Sequence, residues 1–75
     1  MNKARRDQIL MVIQKIDNIK AALEVILYDE QEAYDNIPDS LKESERGETS
    51  MEAQENMEAA IQTLEEAMEC LEEIC

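Results

Sequence analysis

Residues 9–27 read ILMVIQKIDNIKAALEVIL, and the spacing of their apolar side chains decides the fold. Large apolar residues recur there at alternating steps of three and four, the spacing of helices that pack along a seam: Ile9, Val12, Ile16, Ile19, Leu23 and Ile26. Ile13 and Leu27 widen the seam into a broad apolar face. A face of that width is typical of a helix with more than one neighbour. We therefore predict a first helix over about residues 4–35.

The second half of the chain repeats the same spacing. Its seam is flanked at steps of seven by Ala53, Ala60, Ala67 and Ile74, and consists of Met57, Ile61, Leu64, Met68, Leu71 and Cys75. We predict a second helix over about residues 45–74, with a start between the candidate caps Ser40 and Thr49. The loop covers about residues 36–44 and holds Pro38, which disfavours helix at the residue before it. A loop this short makes the two helices antiparallel neighbours.

Chain length predicts self-association. A chain of 75 residues buries too little surface to be comfortably stable alone, and one hairpin cannot cover a face that suits two neighbours. The sequence therefore predicts an all-α, antiparallel two-helix hairpin, a single domain over residues 1–75. It is expected to assemble with itself, as a homodimer or a larger homo-oligomer, into a four-helix bundle.

Composition and charge exclude several function classes. The net charge is −12, and residues 21–75 hold two basic against seventeen acidic side chains, so we predict no direct nucleic-acid binding. No apolar run approaches the roughly 20 residues that span a bilayer, which predicts a cytoplasmic protein without a membrane partner. The chain has no His. We predict no catalytic residue, no metal site and no cofactor, and two reduced thiols at Cys70 and Cys75.

The seams turn polar towards the loop. Glu30 takes a seam position on the first helix, and an antiparallel hairpin brings Ser50 level with it. Tyr34 and Arg46 lie on the same stretch. Water at the end of a bundle would explain such a polar layer, and so would a pocket. In a pocket, Tyr34 could stack on a base and Arg46 could hold a phosphate. The remaining candidate ligand-binding residues are Asn36, Ser44 and, contributed by another subunit, Arg5 and Arg6.

A family resemblance rests on residues 1–6 (MNKARR), 32–41 (EAYDNIPDSL) and 44–46 (SER). With these segments the chain resembles short, acidic, uncharacterised proteins of phages and prophages of Gram-positive bacteria. Small helical phage proteins of this kind include the groups called Sequestin and Lockin, which bind nucleotide second messengers of bacterial immunity. The resemblance implies a phage protein with an anti-defence role. Its specific loop segment coincides with the polar break in the seam.

Two functions follow as expectations. The first is a non-catalytic protein that binds and sequesters a nucleotide-derived immune signal, such as a cyclic ADP-ribose isomer or a cyclic dinucleotide. The alternative is an acidic protein-interaction module, or a nucleic-acid mimic, that inhibits a host defence protein.

Overall fold

The computed structural model of the protein describes all residues from Met1 to Cys75. Helix α1 spans Lys3–Asp35 and helix α2 spans Glu45–Glu72, with a short 3-10 turn at Asp39–Leu41 between them. There is no strand. The prediction of an all-α, two-helix hairpin is confirmed. The end of α2 lies two residues before the predicted residue 74, and Glu73 and Ile74 form a turn.

Local signals set both ends of α1. The side-chain oxygen of Asn2 accepts a hydrogen bond from the backbone N–H of Arg5 at 2.9 Å and caps the first turn. At the other end, the N–H of Asn36 still bonds to the carbonyl of Glu32 at 3.1 Å. Ile37 then leaves the helical path because Pro38 follows it. Its side chain is only 5% exposed, so the chain turns around a buried isoleucine.

Helix α2 begins at Glu45, within the predicted interval from Ser40 to Thr49, but neither of these two candidate caps is its N-cap. Ser40 lies in the 3-10 turn and Thr49 lies inside α2, whereas Ser44 takes the N-cap position. The Ser44 hydroxyl donates to the carbonyl of Leu41 and makes no capping hydrogen bond to α2. Gly47 is buried in the first turns of α2, where a Cβ would overlap the carbonyl oxygen of Lys42. The loop therefore closes onto α2 at a position that has room only for glycine.

The two helices run antiparallel along their whole length. At mid-length, the Lys20 ammonium lies 3.2 Å from a Glu65 carboxylate oxygen. At the end that carries both termini, the Sγ of Cys75 lies 3.8 Å from the carbonyl oxygen of Arg6. The hairpin is a rod of 59 × 15 × 12 Å. Its loop end and its terminal end are therefore far apart within one chain.

The contact between the helices uses only part of the predicted seam of α1. Apart from Gln31, the partly covered residues of α1 follow steps of three and four: Ile9, Ile13, Ile16, Lys20, Leu23, Leu27, Glu30 and Tyr34. Val12, Ile19 and Ile26, predicted as seam residues, are 45%, 58% and 56% exposed. The sequence predicted an apolar face too wide for one neighbouring helix, and these three residues are the part of that face that α2 leaves exposed. They form a second apolar stripe that α2 does not cover.

The hairpin buries very little apolar side chain. Ile37 and Met68 are its only buried hydrophobic residues. Eleven large hydrophobic side chains are exposed, and most of them lie on α1. Each large apolar side chain contributes roughly 1.5–3 kcal/mol when fully buried, so most of the available hydrophobic stabilisation is not realised within one chain.

Candidate binding site at the loop end

One cavity of about 270 Å³ lies where the loop meets the two helices. Its wall is built from all three parts of the hairpin: Glu30, Ala33 and Tyr34 of α1, Ile37 of the connection, and Arg46, Thr49 and Ser50 of α2. Four of the predicted site residues line it, namely Glu30, Tyr34, Arg46 and Ser50. The antiparallel register brings Glu30 and Ser50 to the same level.

Buried polar groups form the floor of this region. Ser50 and Gln54 are both buried, and the Gln54 amide Nε2 donates to the Ser50 hydroxyl oxygen at 3.3 Å. Because that oxygen already accepts from Gln54, the hydroxyl proton is free to be donated into the cavity. A buried hydroxyl with a fixed acceptor role and a free proton is suited to an anionic or carbonyl group of a ligand.

One face of the Tyr34 ring is partly covered by Lys42. The ammonium of Lys42 lies 5.3 Å from the ring centroid, within cation–π distance. The same ammonium lies 3.1 Å from a carboxylate oxygen of Asp39. The hydrogen bond to Asp39 raises the pKa of Lys42 above its usual value, against a smaller opposing effect of burial. One face of Tyr34 is thus shared with a permanent cation, so a ligand ring could stack only on the rest of its surface.

Arg46 is the cation on the cavity wall. It is the second residue of α2, is exposed and has no carboxylate within 4 Å. The start of α2 also carries the positive end of the helix dipole, although Glu45 and Glu48 in the first turn oppose it. Glu30 has no basic partner within 4 Å either. The cavity therefore presents one free cation and one free carboxylate.

The other predicted site residues lie elsewhere. Asn36 is exposed at the end of α1, and the Ser44 hydroxyl is engaged with Leu41, so neither lines the cavity. Arg5 and Arg6 lie at the terminal end of the rod, next to Cys75. Within one chain they cannot reach the loop end.

Sequence reasoning missed four residues around the cavity. Ala33, Ile37 and Thr49 line it, and Lys42 covers part of Tyr34. A signal for two of them existed. Ala33 follows Glu30 at a step of three, and Thr49 follows Arg46 at a step of three, as residues on one helix face do. Ile37 lies beyond the end of α1, so helical spacing does not place it. The position of Lys42 depends on how the loop closes over Gly47, which the spacing does not specify.

Comparison with protein-family models, curated proteins and solved structures gives no match. The resemblance to the phage family therefore stays a prediction. Neither helix contains a stretch long and apolar enough to cross a membrane.

Proposed function

We propose that this chain is a non-catalytic, self-associating protein that binds a small nucleotide-derived anion at the loop-end cavity. The observation that carries the proposal is the meeting of Tyr34, Arg46 and Ser50 on one wall of the only cavity. An aromatic ring, a guanidinium and a buried hydroxyl are the groups that recognise a base, a phosphate and a phosphate or sugar oxygen.

Each residue has a role in this proposal. Arg46 pairs with a phosphate, and Ser50 donates its free proton to an oxygen of the same group. Glu30 accepts hydrogen bonds from a sugar hydroxyl or from an amino group of a base. Its carboxylate therefore contacts an uncharged part of the ligand and not the phosphate. Tyr34 packs against the ring of the base with the part of its surface that Lys42 leaves open. These roles bind and orient a ligand; none transfers a proton or breaks a bond.

The size of the cavity supports a site that is completed by assembly. Small-molecule sites usually enclose about 300–1,000 Å³, and the cavity of one chain is about 270 Å³. One hairpin therefore encloses only part of a dinucleotide-sized ligand. Assembly of two hairpins into a four-helix bundle, which the exposed apolar side chains favour, would supply the missing wall.

The biological role that fits the phage resemblance is sequestration. A phage protein of this kind would act in the cytoplasm of the infected bacterium. It would hold an immune signal such as a cyclic ADP-ribose isomer or a cyclic dinucleotide without destroying it. The alternative, an acidic interaction module or nucleic-acid mimic, is favoured by a separate observation. By helical spacing, the nine glutamates of α2 fall on the side of that helix opposite to Arg46.

Isothermal titration calorimetry against cyclic dinucleotides and ADP-ribose derivatives tests the proposal. We expect at least one of them to bind the wild type. Hydrogen bonds to charged groups contribute roughly 1.5–3 kcal/mol, so Arg46→Ala should weaken that binding about ten-fold or more. Lys15→Ala is the matched control, because it removes the same charge from an exposed position away from the cavity.

Two results would overturn the proposal: no binding by the wild type, or equal weakening by both substitutions. A general loss of positive charge would explain the second result without a site. The interaction module would then become the better explanation. It predicts binding to a basic protein that weakens as salt concentration rises, since exposed charges are screened.

A further inference from the structure

The hairpin has two long sides of opposite character. On one side, Lys20 pairs with Glu65, and further acidic residues of both helices surround that pair. The other side is the one where Ala33 of α1 and Arg46 of α2 line the same cavity. Steps of seven back from Ala33 lead to Ile26, Ile19 and Val12, and steps of seven on from Arg46 lead along α2. We call this side the apolar strip; it consists of Val12, Ile19, Ile26, Ala53, Ala60, Ala67 and Ile74.

The apolar strip ends at an arginine in both directions. One further step of seven beyond Val12 reaches Arg5, at the terminal end beside Ile74. At the loop end, the row of α2 residues spaced seven apart, which we call the α2 column, begins with Arg46, and Arg46 lines the same cavity as Ala33. Between these arginines the two columns carry only Val, Ile and Ala. Arg6 is one position further around α1, seven residues before Ile13 of the stripe that contacts α2, and its backbone carbonyl accepts from the Cys75 thiol at 3.8 Å. Arg5 and Arg6 therefore lie on different sides of α1, and of these two only Arg5 continues the apolar strip.

We propose that the apolar strip covers the same strip of a second copy with the loops at opposite ends, so that Arg5 of each copy completes the other's loop-end site. This inference rests on the proposed function, and it names the surface and the residue that assembly adds. The arrangement places α1 on α1 and α2 on α2, each pair antiparallel.

The register of the strip is self-complementary. With a twofold axis at Ile19, Val12 faces Ile26 of the partner and Arg5 faces Ala33 of the partner. On α2 the same axis falls between Ala60 and Ala67, so that Ala53 faces Ile74 of the partner. The axis meets both helices at one level of the rod, since Lys20 and Glu65 are paired there. The two columns therefore match at the same time.

The distribution of charge favours a dimer with the two loops at opposite ends over a dimer with both loops at the same end. Residues 29–48 hold eight carboxylates and two basic side chains, so stacked loop ends would repel each other. With the loops opposed, these acidic ends lie at opposite ends of the dimer. At each acidic end, the partner's Arg5 then lies next to Glu30, which has no basic partner within its own chain.

The surface is large enough for a stable dimer. From Arg5 to Ala33 the strip is roughly 42 Å long, at about 1.5 Å per residue, and the rod is 15 Å wide. The projected area of the strip is therefore roughly 600 Å² per copy, or about 1,200 Å² in total. This reaches the lower bound of the area that specific interfaces bury, and the uneven surface of the side chains adds to it. The partner's Arg5 also brings a second guanidinium beside Arg46, and twofold symmetry gives two such sites.

Single-cysteine cross-linking tests the arrangement in a background where Cys70 and Cys75 are Ser. We expect Ile19→Cys to cross-link to itself under oxidation, because Ile19 lies at the axis. Subunits carrying Arg5→Cys and Ala33→Cys, mixed in urea and refolded together, should cross-link to each other. Arg5→Cys alone should not, because the two Arg5 positions lie about 42 Å apart. All three positions are exposed in the hairpin, and circular dichroism confirms folding.

Sedimentation equilibrium and the calorimetry described above complete the test. A folded monomer, or rapid cross-linking of Arg5→Cys to itself, would overturn the arrangement. The expected cross-links without binding of any nucleotide in the panel would leave the dimer standing and remove the proposed function. Nucleotide binding by a folded monomer would do the reverse.

Discussion

At the scale of single residues, the loop end depends on one close approach. Gly47 is buried, and its Cα faces the backbone of Lys42 with no room for a side chain. That approach fixes Lys42 where its ammonium meets both Asp39 and the ring of Tyr34. The glycine therefore shapes the cavity without lining it.

Gly47→Ala should lower stability although it improves helix propensity. Replacing glycine by alanine inside a helix gains about 1 kcal/mol, whereas overpacking costs roughly 1–3 kcal/mol. A fixed carbonyl oxygen cannot move aside as a flexible side chain can, so the cost falls in the upper part of that range. We therefore expect a net loss of about 1–2 kcal/mol in the free energy of unfolding, measured by urea unfolding. Asn56→Ala, at an exposed position of the same helix, is the control and should not destabilise. Equal or higher stability of Gly47→Ala would show that the loop is not held by this contact.

At the scale of the helices, one ion pair links α1 to α2. Lys20 takes a position between Ile16 and Leu23 in the stripe that contacts α2, and its ammonium pairs with Glu65 at 3.2 Å. The Lys20 side chain is 22% exposed and that of Glu65 is 49% exposed. The hydrogen bond to Glu65 raises the pKa of Lys20 above 10.5, against a smaller lowering by burial.

The raised pKa of Lys20 predicts a loss of stability at high pH. Because the folded state binds this proton more tightly, the contribution is fully present below pH 10.5 and is lost as pH rises through the folded pKa. We expect the urea midpoint of the wild type to fall more between pH 9.5 and pH 11.5 than that of Glu65→Gln. The two proteins share every other titratable group, so the comparison isolates the contribution of this pair. Parallel curves for the two proteins would mean that the pair adds nothing to folding.

The sequence determined the helices and part of the site, for identifiable reasons. The steps of three and four predicted both helices, and the antiparallel register brought Glu30 level with Ser50. The choice among Ile9, Val12 and Ile13 for the contact with α2 was not predictable, because a broad apolar face contains two stripes. The start of α2 was also ambiguous, since Ser40, Ser44 and Thr49 all suit an N-cap. Closure of the loop over Gly47 selected Ser44.

At the scale of the whole molecule, the hairpin leaves most of its apolar side chains uncovered. A rod 59 Å long with only Ile37 and Met68 as buried hydrophobic residues lacks a core of its own. Ordering a chain costs roughly 1–2 kcal/mol per residue in backbone entropy. Packing the apolar strip against a second copy would bury Val12, Ile19 and Ile26, and folding and assembly are then expected to occur together.

A pair of matched substitutions on α1 separates the apolar strip from exposed hydrophobicity in general. Ile19 and Leu10 are similarly exposed, at 58% and 52%, but Leu10 lies on the charged side of the rod, in the column of Asp17 and Glu24. Ile19→Asp would place two unpaired carboxylates together at the twofold axis, where burial of an unpaired charge is strongly unfavourable. It should yield a monomer with reduced helicity by sedimentation equilibrium and circular dichroism. Leu10→Asp should keep both the dimer and the helicity of the wild type. If instead both variants stay dimeric, or both dissociate at the same protein concentration, the strip has no special part in assembly and another surface must join the copies.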